Sequence, residues 1–313
     1  YKIIKSKSKI SQTIQTDALR LTPKTNSEAR SSETSYGPVL YVKKGETGIG
    51  TSWTDALGEL SEALQIAREH SNVQQIWVAE GTYLPSEQWN AQNNALVTDQ
   101  PRYASFYISD RIKVYGGFNG TETALSERNP AAHPTILSGK LAPQKANWAL
   151  HVVLMLNVSS HTVLDGFTIQ EGQADLQPGS LNSIGAGLYL LDANPQLANL
   201  IVQDNHAFYE GGGMYLIRSN PICNQIQLLN NTAGYYGAAL RLGSSNPTFT
   251  NIKVIGNQIA GESSYSEAAA IYSSESKPTF INALFTKNVS TSGSFYKCYG
   301  EESATFINTV VVD

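Results

Sequence analysis

Apolar and polar residues alternate in short runs along this chain, and the runs recur at a fixed spacing. The dipeptides Asn194-Pro195, Asn220-Pro221, Asn246-Pro247 and Lys277-Pro278 stand 26, 26 and 31 residues apart, and a worn copy, Ser303-Ala304, follows after another 26. Aligned on these dipeptides, the copies give two apolar columns. One is Leu197, Cys223, Phe249, Phe280 and Phe306; the other is Val202, Leu228, Val254, Phe285 and Val311. Two amide columns run beside them: Asn205, Asn231, Asn257 and Asn288, and Asn199, Gln225, Asn251, Asn282 and Asn308. Further along each copy comes a glycine- or alanine-led strand: Gly187-Leu188-Tyr189-Leu190, Gly213-Met214-Tyr215-Leu216, Ala239-Leu240-Arg241-Leu242 and Ala270-Ile271-Tyr272-Ser273. A helical repeat would show a period of 3.6 and few prolines. The period-two alternation predicts coils of two or three short strands.

Stacking such coils at ~4.8 Å places like residues over like. The apolar columns then form one continuous core, and the column Asn205, Asn231, Asn257, Asn288 forms a structural ladder that satisfies backbone groups at a turn. The fold class predicted is all-β, a right-handed parallel β-helix of ~26-residue coils with one N-terminal capping α-helix.

That helix is predicted at about 52–70, capped by Thr51 or Ser52, with Ala56, Leu57, Leu60, Ala63, Leu64 and Ala67 on one apolar face. Irregular coils are expected over 73–161 and regular repeats over 162–313, the whole β-helix spanning 38–313. Insertions at Glu87–Arg102, Asn119–His133 and within Gln173–Asn182 are the places where a solenoid builds function. Residues 1–37 differ from the rest. Seven Lys and Arg against three Asp and Glu make them +4, which leaves −8 on the remainder of a chain whose net charge is −4. They read as a polar basic extension or linker. The chain begins at Tyr1 without a leader and stops on Val310-Val311-Val312-Asp313 partway through a coil. The expectation is a protein that continues, or an end that a partner covers.

Composition narrows the function. Charged residues are only 15% of the chain, and no basic cluster lies on the repeats, which argues against nucleic acid. No apolar run approaches the ~20 residues of a membrane span. Cys223 and Cys298 fall in different strands about three coils apart, ~14 Å by coil spacing, too far for a disulfide.

The segments Gly50-Thr51-Ser52-Trp53-Thr54-Asp55-Ala56, Ile76-Trp77-Val78-Ala79-Glu80-Gly81-Thr82-Tyr83, Tyr115-Gly116-Gly117-Phe118-Asn119-Gly120-Thr121-Glu122-Thr123 and Leu164-Asp165-Gly166-Phe167-Thr168-Ile169 resemble the secreted right-handed parallel β-helix proteins common in Bacteroidota. Gly212-Gly213-Met214 and Phe285-Thr286-Lys287-Asn288 are similar to repeats of chlamydial polymorphic outer membrane proteins. The resemblance covers roughly 39–313. It implies a secreted or surface-displayed, adhesin-like protein within a larger surface assembly, and carries little information about chemistry.

Candidate chemistry is sparse. Asp165, Asp192 and Asp204 occupy different columns, and Asp192 lies in register with Arg218, as a surface ion pair would. The histidines His70, His133, His151, His161 and His206 lack metal-ligand spacing. Gly116-Gly117 and Gly211-Gly212-Gly213 lack the strand–loop–helix context of a phosphate site. No catalytic, metal or cofactor site is therefore expected. The candidate binding surface is aromatic: Tyr189, Tyr215 and Tyr272 in an outward column with Arg241, and Phe208, Tyr209, Tyr235, Tyr236 and Tyr265 in the turns beside it. Such residues suit a sheet-stabilising stack, a platform for sugar rings or a protein interface. The rival reading is a polysaccharide lyase or glycoside hydrolase with its site in the insertions between 87 and 182.

Overall fold

The structure is a computed structural model that describes residues 35–176, 180–261, 270–290, 295–301 and 303–312. The basic extension, through residue 34, and Tyr265 lie outside the described residues. The chain divides at Ser35, and Tyr36–Asp313 forms one compact unit.

This unit is a parallel β-helix. One regular coil runs through Leu188–Leu191, Gln196–Gln203 and His206–Ala207. The next runs through Met214–Ile217, Ile222–Leu229 and Thr232–Ala233. Stacked coils generate parallel sheets of thirteen, seven and four strands. The apolar columns are in register: Leu197 pairs with Cys223, Cys223 with Phe249, Phe249 with Phe280 and Phe280 with Phe306. The rings of Phe249, Phe280 and Phe306 stack at 5.3 and 5.2 Å. The longer spacing before Lys277 leaves the register intact, because Leu240 pairs directly with Ile271.

Each coil turns at three corners, and each corner holds a residue with positive φ. The columns are Asp192, Arg218, Ser244 and Glu275; Asn199, Gln225, Asn251, Asn282 and Asn308; and Glu171, Asp204, Asn230, Gly256 and Lys287. Left-handed backbone costs an L-residue about 1–2 kcal/mol, least for Asn, Asp and Gly, which accounts for the amides of the second column. That column kinks the eight-residue strands and is tied along the outside, where Asn282 Nδ2 donates to Asn251 Oδ1 (3.1 Å) and Asn308 Nδ2 to Asn282 Oδ1 (3.2 Å).

The other amide column is buried at Asn205, Asn231 and Asn257 and half-buried at Asn288. Asn205 Nδ2 donates to Asn231 Oδ1 (3.0 Å), Asn231 to Asn257 (3.0 Å) and Asn257 to Asn288 (2.9 Å). Each acceptor oxygen also takes the backbone N–H of the preceding asparagine. A second buried ladder is built of serine, a pattern the sequence reading passed over. The N–H groups of Ala193, Ser219 and Ser245 donate to the hydroxyls of Ser219, Ser245 and Ser276 at 2.9–3.0 Å.

The capping helix is Leu60–Glu69, shorter than the predicted 52–70. Trp53–Asp55 is a single 3-10 turn, and Asp55 accepts from the Thr51 hydroxyl at 2.7 Å. Ala56 and Leu57 are extended and buried. Leu57 exchanges backbone hydrogen bonds with Tyr41 and Lys43, and Gly58 packs against the Glu46 carbonyl. Their apolarity serves the core without belonging to the helical stripe. Leu60, Ala63, Leu64 and Ala67 close the apolar end of the solenoid against Leu40, Val78 and Phe106.

Cys223 lies in the core, where burial pushes its thiol up, whereas Cys298 is only half-buried. A colorimetric thiol reagent is expected to titrate Cys298 in the native protein and Cys223 only after denaturation. Two thiols reacting at equal rates in the native protein would contradict the buried position of Cys223.

Candidate functional site

A concavity lies against the thirteen-stranded sheet. In its strands Leu200, Ile226 and Ile252 point inward, as do Ile169, Val202, Leu228 and Val254. By alternation Thr168, Ile201, Gln227 and Lys253 point outward, and they are successive register partners. Beside them runs the kink column Asn199, Gln225 and Asn251.

A wall stands against this face. In early coils the kink is open: Lys113–Phe118 and Thr135–Ser138 are separate strands, and Thr135 pairs with Phe167 just past Gly166. The insertion between them leaves the coil at the corner that Asn199, Gln225 and Asn251 occupy later. Its fold is held by its own carboxylates. Glu122 accepts from the backbone N–H groups of Asn119 (2.7 Å), Gly120 (3.1 Å) and Thr121 (3.0 Å). Burial opposes its charge, but these donors outweigh burial and hold its carboxyl below the usual range. Glu127 accepts from the N–H groups of Thr123 and Ala124, which lower it likewise. Trp53 Nε1 donates to the Glu122 carbonyl at 2.8 Å.

Arg128 locks the wall to the sheet. It donates to the Gly116 carbonyl (3.1 Å) and the Asp165 carboxylate, and lies over the Tyr115 ring at 5.3 Å. Asn199 Nδ2 donates to the other Asp165 oxygen at 2.7 Å. Gly117 has φ +92, and a Cβ there would stand 2.6 Å from Pro130, so glycine is what lets the wall approach. Asn129 Oδ1 accepts from the N–H groups of Ala131 and Ala132 (3.2 Å each), and this turn presents Pro130 and Ala131 to the sheet.

Between wall and sheet lies a groove of about 520 Å³, lined by Asn129, Pro130, Ala131 and Pro134 on one side. Asn199, Ile201, Gln225, Gln227, Asn251 and Lys253 line the other. Its chemistry is planar amides and hydroxyls flanking a small apolar strip, with Lys253 as the one ionisable side chain among the described lining residues. Such a surface can grip vicinal hydroxyls and cover C–H faces.

The aromatic column predicted as a binding surface is differently placed. Tyr189 and Tyr215 face away from the main core, yet they are only 1% and 8% exposed. Leu181, Ile184, Trp89, Tyr107 and Tyr209 roof them in a second apolar cluster. Within the insertion Glu87–Arg102, Trp89–Asn90 and Ala95–Leu96 form an antiparallel hairpin, and Trp89 stacks on Tyr107 at 3.9 Å. Arg241 sits between the rings of Tyr215 (5.9 Å) and Tyr272 (5.0 Å) and donates to buried Glu210 at 2.9 Å. Burial pushes the Glu210 carboxyl above its usual range despite Arg241, and pushes the Tyr215 phenol up to about 12. Tyr189, Tyr215 and Arg241 are thus internal packing. Alternation shows which face points away from the core; it cannot show what loops fold over that face. In the turn cluster, Phe208 is 38% exposed, while Tyr209, Tyr235 and Tyr236 are half-buried and packed on one another, with Tyr236 4.6 Å from Tyr272.

Four carboxylates are engaged separately, and burial raises a further one, Asp204, above its usual range. Asp165 holds Arg128, Asp175 holds Arg102, Glu210 holds Arg241, and Asp192 makes a two-point pair with Arg218 at 2.7 Å. Among the described residues, no group of three His, Cys, Asp or Glu side chains is arranged to hold a metal ion. Nor is any described helix long and apolar enough to cross a membrane.

Fold and groove together define a parallel β-helix with a lateral polar cleft. In comparisons with known proteins the chain matches no family model and no curated protein sequence.

Proposed function

We propose that this chain is a non-catalytic β-helix of a secreted or cell-surface protein, and that it binds glycan chains in the groove between the insertion after Phe118 and the long sheet. One observation carries the reading. The amides of Asn199, Gln225 and Asn251 face the apolar wall of Pro130 and Ala131 across a cavity of about 520 Å³. Sugars need directional hydrogen bonds for their hydroxyls and apolar contact for their ring faces, and this lining offers both on opposite sides. The wall is held in place before any ligand arrives, by Glu122, Glu127 and Arg128, so ordering it costs little on binding. A hydroxyl-rich chain with only 15% charged residues fits an extracellular setting.

Calorimetric titration of a panel of neutral and acidic oligosaccharides tests the reading. Binding to at least one member is expected, and Gln227→Trp, which fills the groove from an outward position, is expected to weaken it at least about tenfold. Its circular dichroism and melting temperature should match the parent. If no glycan binds, or the filled groove binds as well as the open one, the proposal fails.

A further inference from the structure

We infer that the groove takes an acidic glycan lengthwise along the solenoid axis, one sugar ring to a coil step, with a carboxylate or sulfate against Lys253. This rests on the reading of the groove as a glycan site and adds direction, length and charge to it.

Direction follows from register. Thr168, Ile201, Gln227 and Lys253 are paired residues on four consecutive strands, so the floor crosses the strands instead of following one of them. Three coil steps of ~4.8 Å span ~14 Å, about the length of three rings in an extended pyranose chain. Each step repeats an amide or hydroxyl beside the kink column, so a polymer with a regular repeat meets like groups at like intervals.

Charge follows from what surrounds Lys253. It is exposed, and no carboxylate lies within ion-pair distance of it among the described residues. The lining at the opposite end, Thr135, Phe167 and Thr168, is neutral. The nearest acidic group of the wall junction, Asp165, is already held by Arg128 and Asn199, so it is not left to repel an anion. The groove is therefore neutral along its length and positive at one end. An anionic substituent on the ring above Lys253 gains an ion pair there, and the hydroxyls of the other rings face amides.

The test compares 1,4-linked trihexuronate, its carboxyl-reduced neutral counterpart and that neutral trisaccharide carrying a single sulfate, each titrated into the parent and into Lys253→Gln. An acidic trisaccharide is expected to bind the parent about fivefold more tightly than the neutral one, the scale of one exposed ion pair. The preference should disappear in Lys253→Gln, where the acidic and neutral trisaccharides should bind alike. It should also shrink at 1 M salt, where screening reaches within ~3 Å. Preference for the carboxylate or for the sulfate supports the inference and identifies the source of the charge. Equal binding of acidic and neutral sugars, or a preference that survives in Lys253→Gln, overturns the inference and leaves the glycan reading standing. Binding of none of the three sugars to the parent, in a protein that also binds nothing in the wider panel, removes both.

Discussion

Replacing Asn231 with alanine is expected to destabilise the protein by about 3–5 kcal/mol, the scale of several buried polar groups left unpaired. Asn231 is fully buried, and its side chain makes four hydrogen bonds. Its oxygen accepts from the backbone N–H and the side-chain amide of Asn205, and its nitrogen donates to the Val202 carbonyl and to Asn257 Oδ1. Alanine leaves the Asn205 N–H without its acceptor and removes a donor from the Val202 carbonyl, in a place water does not reach. The comparison that isolates this cause is Asn282→Ala. Asn282 belongs to the exposed column and makes its ladder bonds in solvent, so its loss should cost only about 1 kcal/mol, mostly from its left-handed backbone. Chemical denaturation measures both, and amide exchange at Asn205 reports the local opening. Equal losses for the two variants would mean that the buried ladder adds nothing beyond turn conformation.

Acidification from pH 7 towards pH 4 is expected to remove about 3 kcal/mol of stability through His151 alone. Its ring is buried between strands, Nδ1 donates to the Gly185 carbonyl at 2.9 Å, and Nε2 has no partner. Protonation would bury a charge with an unpaired donor, and desolvation lowers the His151 pKa from 6.5 to about 4. Between those two values the unfolded chain binds a proton that the folded chain does not. Stability therefore rises with pH across the window and is lost as pH falls through it. His206, also lowered by burial, acts in the same sense, whereas Glu210, raised by burial, acts in the opposite one. The measurement is accordingly a difference. Melting temperature against pH for the parent and for His151→Phe should diverge between about pH 6.5 and 4, the variant being the flatter. Parallel curves would show that the ring is reached by water.

The two predictions differ in how far the sequence anticipates them. The Asn231 column was legible because its repeat is covalent: residues 26 apart must stack if the coils stack, and a side chain of one kind at every step has one obvious partner. The serine ladder of Ser219, Ser245 and Ser276 has the same logic, but serine is too common in this chain to mark itself. His151 lies in an irregular coil without a repeat to compare, so nothing local to it announces a buried ring. The helix start was misplaced because Ala56 and Leu57 satisfy a helical stripe and an extended core contact equally well. Gly58 and the backbone pairing of Leu57 with Tyr41 decide between them.

The candidate site divides in the same way. Column arithmetic did not single out the outward residues Gln227 and Lys253, and it marked the insertion after Phe118 only as a place where function is built. Of the aromatic column that alternation singled out, Tyr189 and Tyr215 became the floor of a second apolar cluster, under Trp89 and Ile184. By itself, then, the sequence determined the coil, its register, its core columns and its buried asparagine ladder, because in a parallel stack those follow from the period and from which residues avoid water. Only the tertiary structure decided which outward face stays open. That depends on where insertions fold, and they are placed by contacts between residues far apart in the chain, such as Arg128 with Asp165 and Trp53 with Glu122.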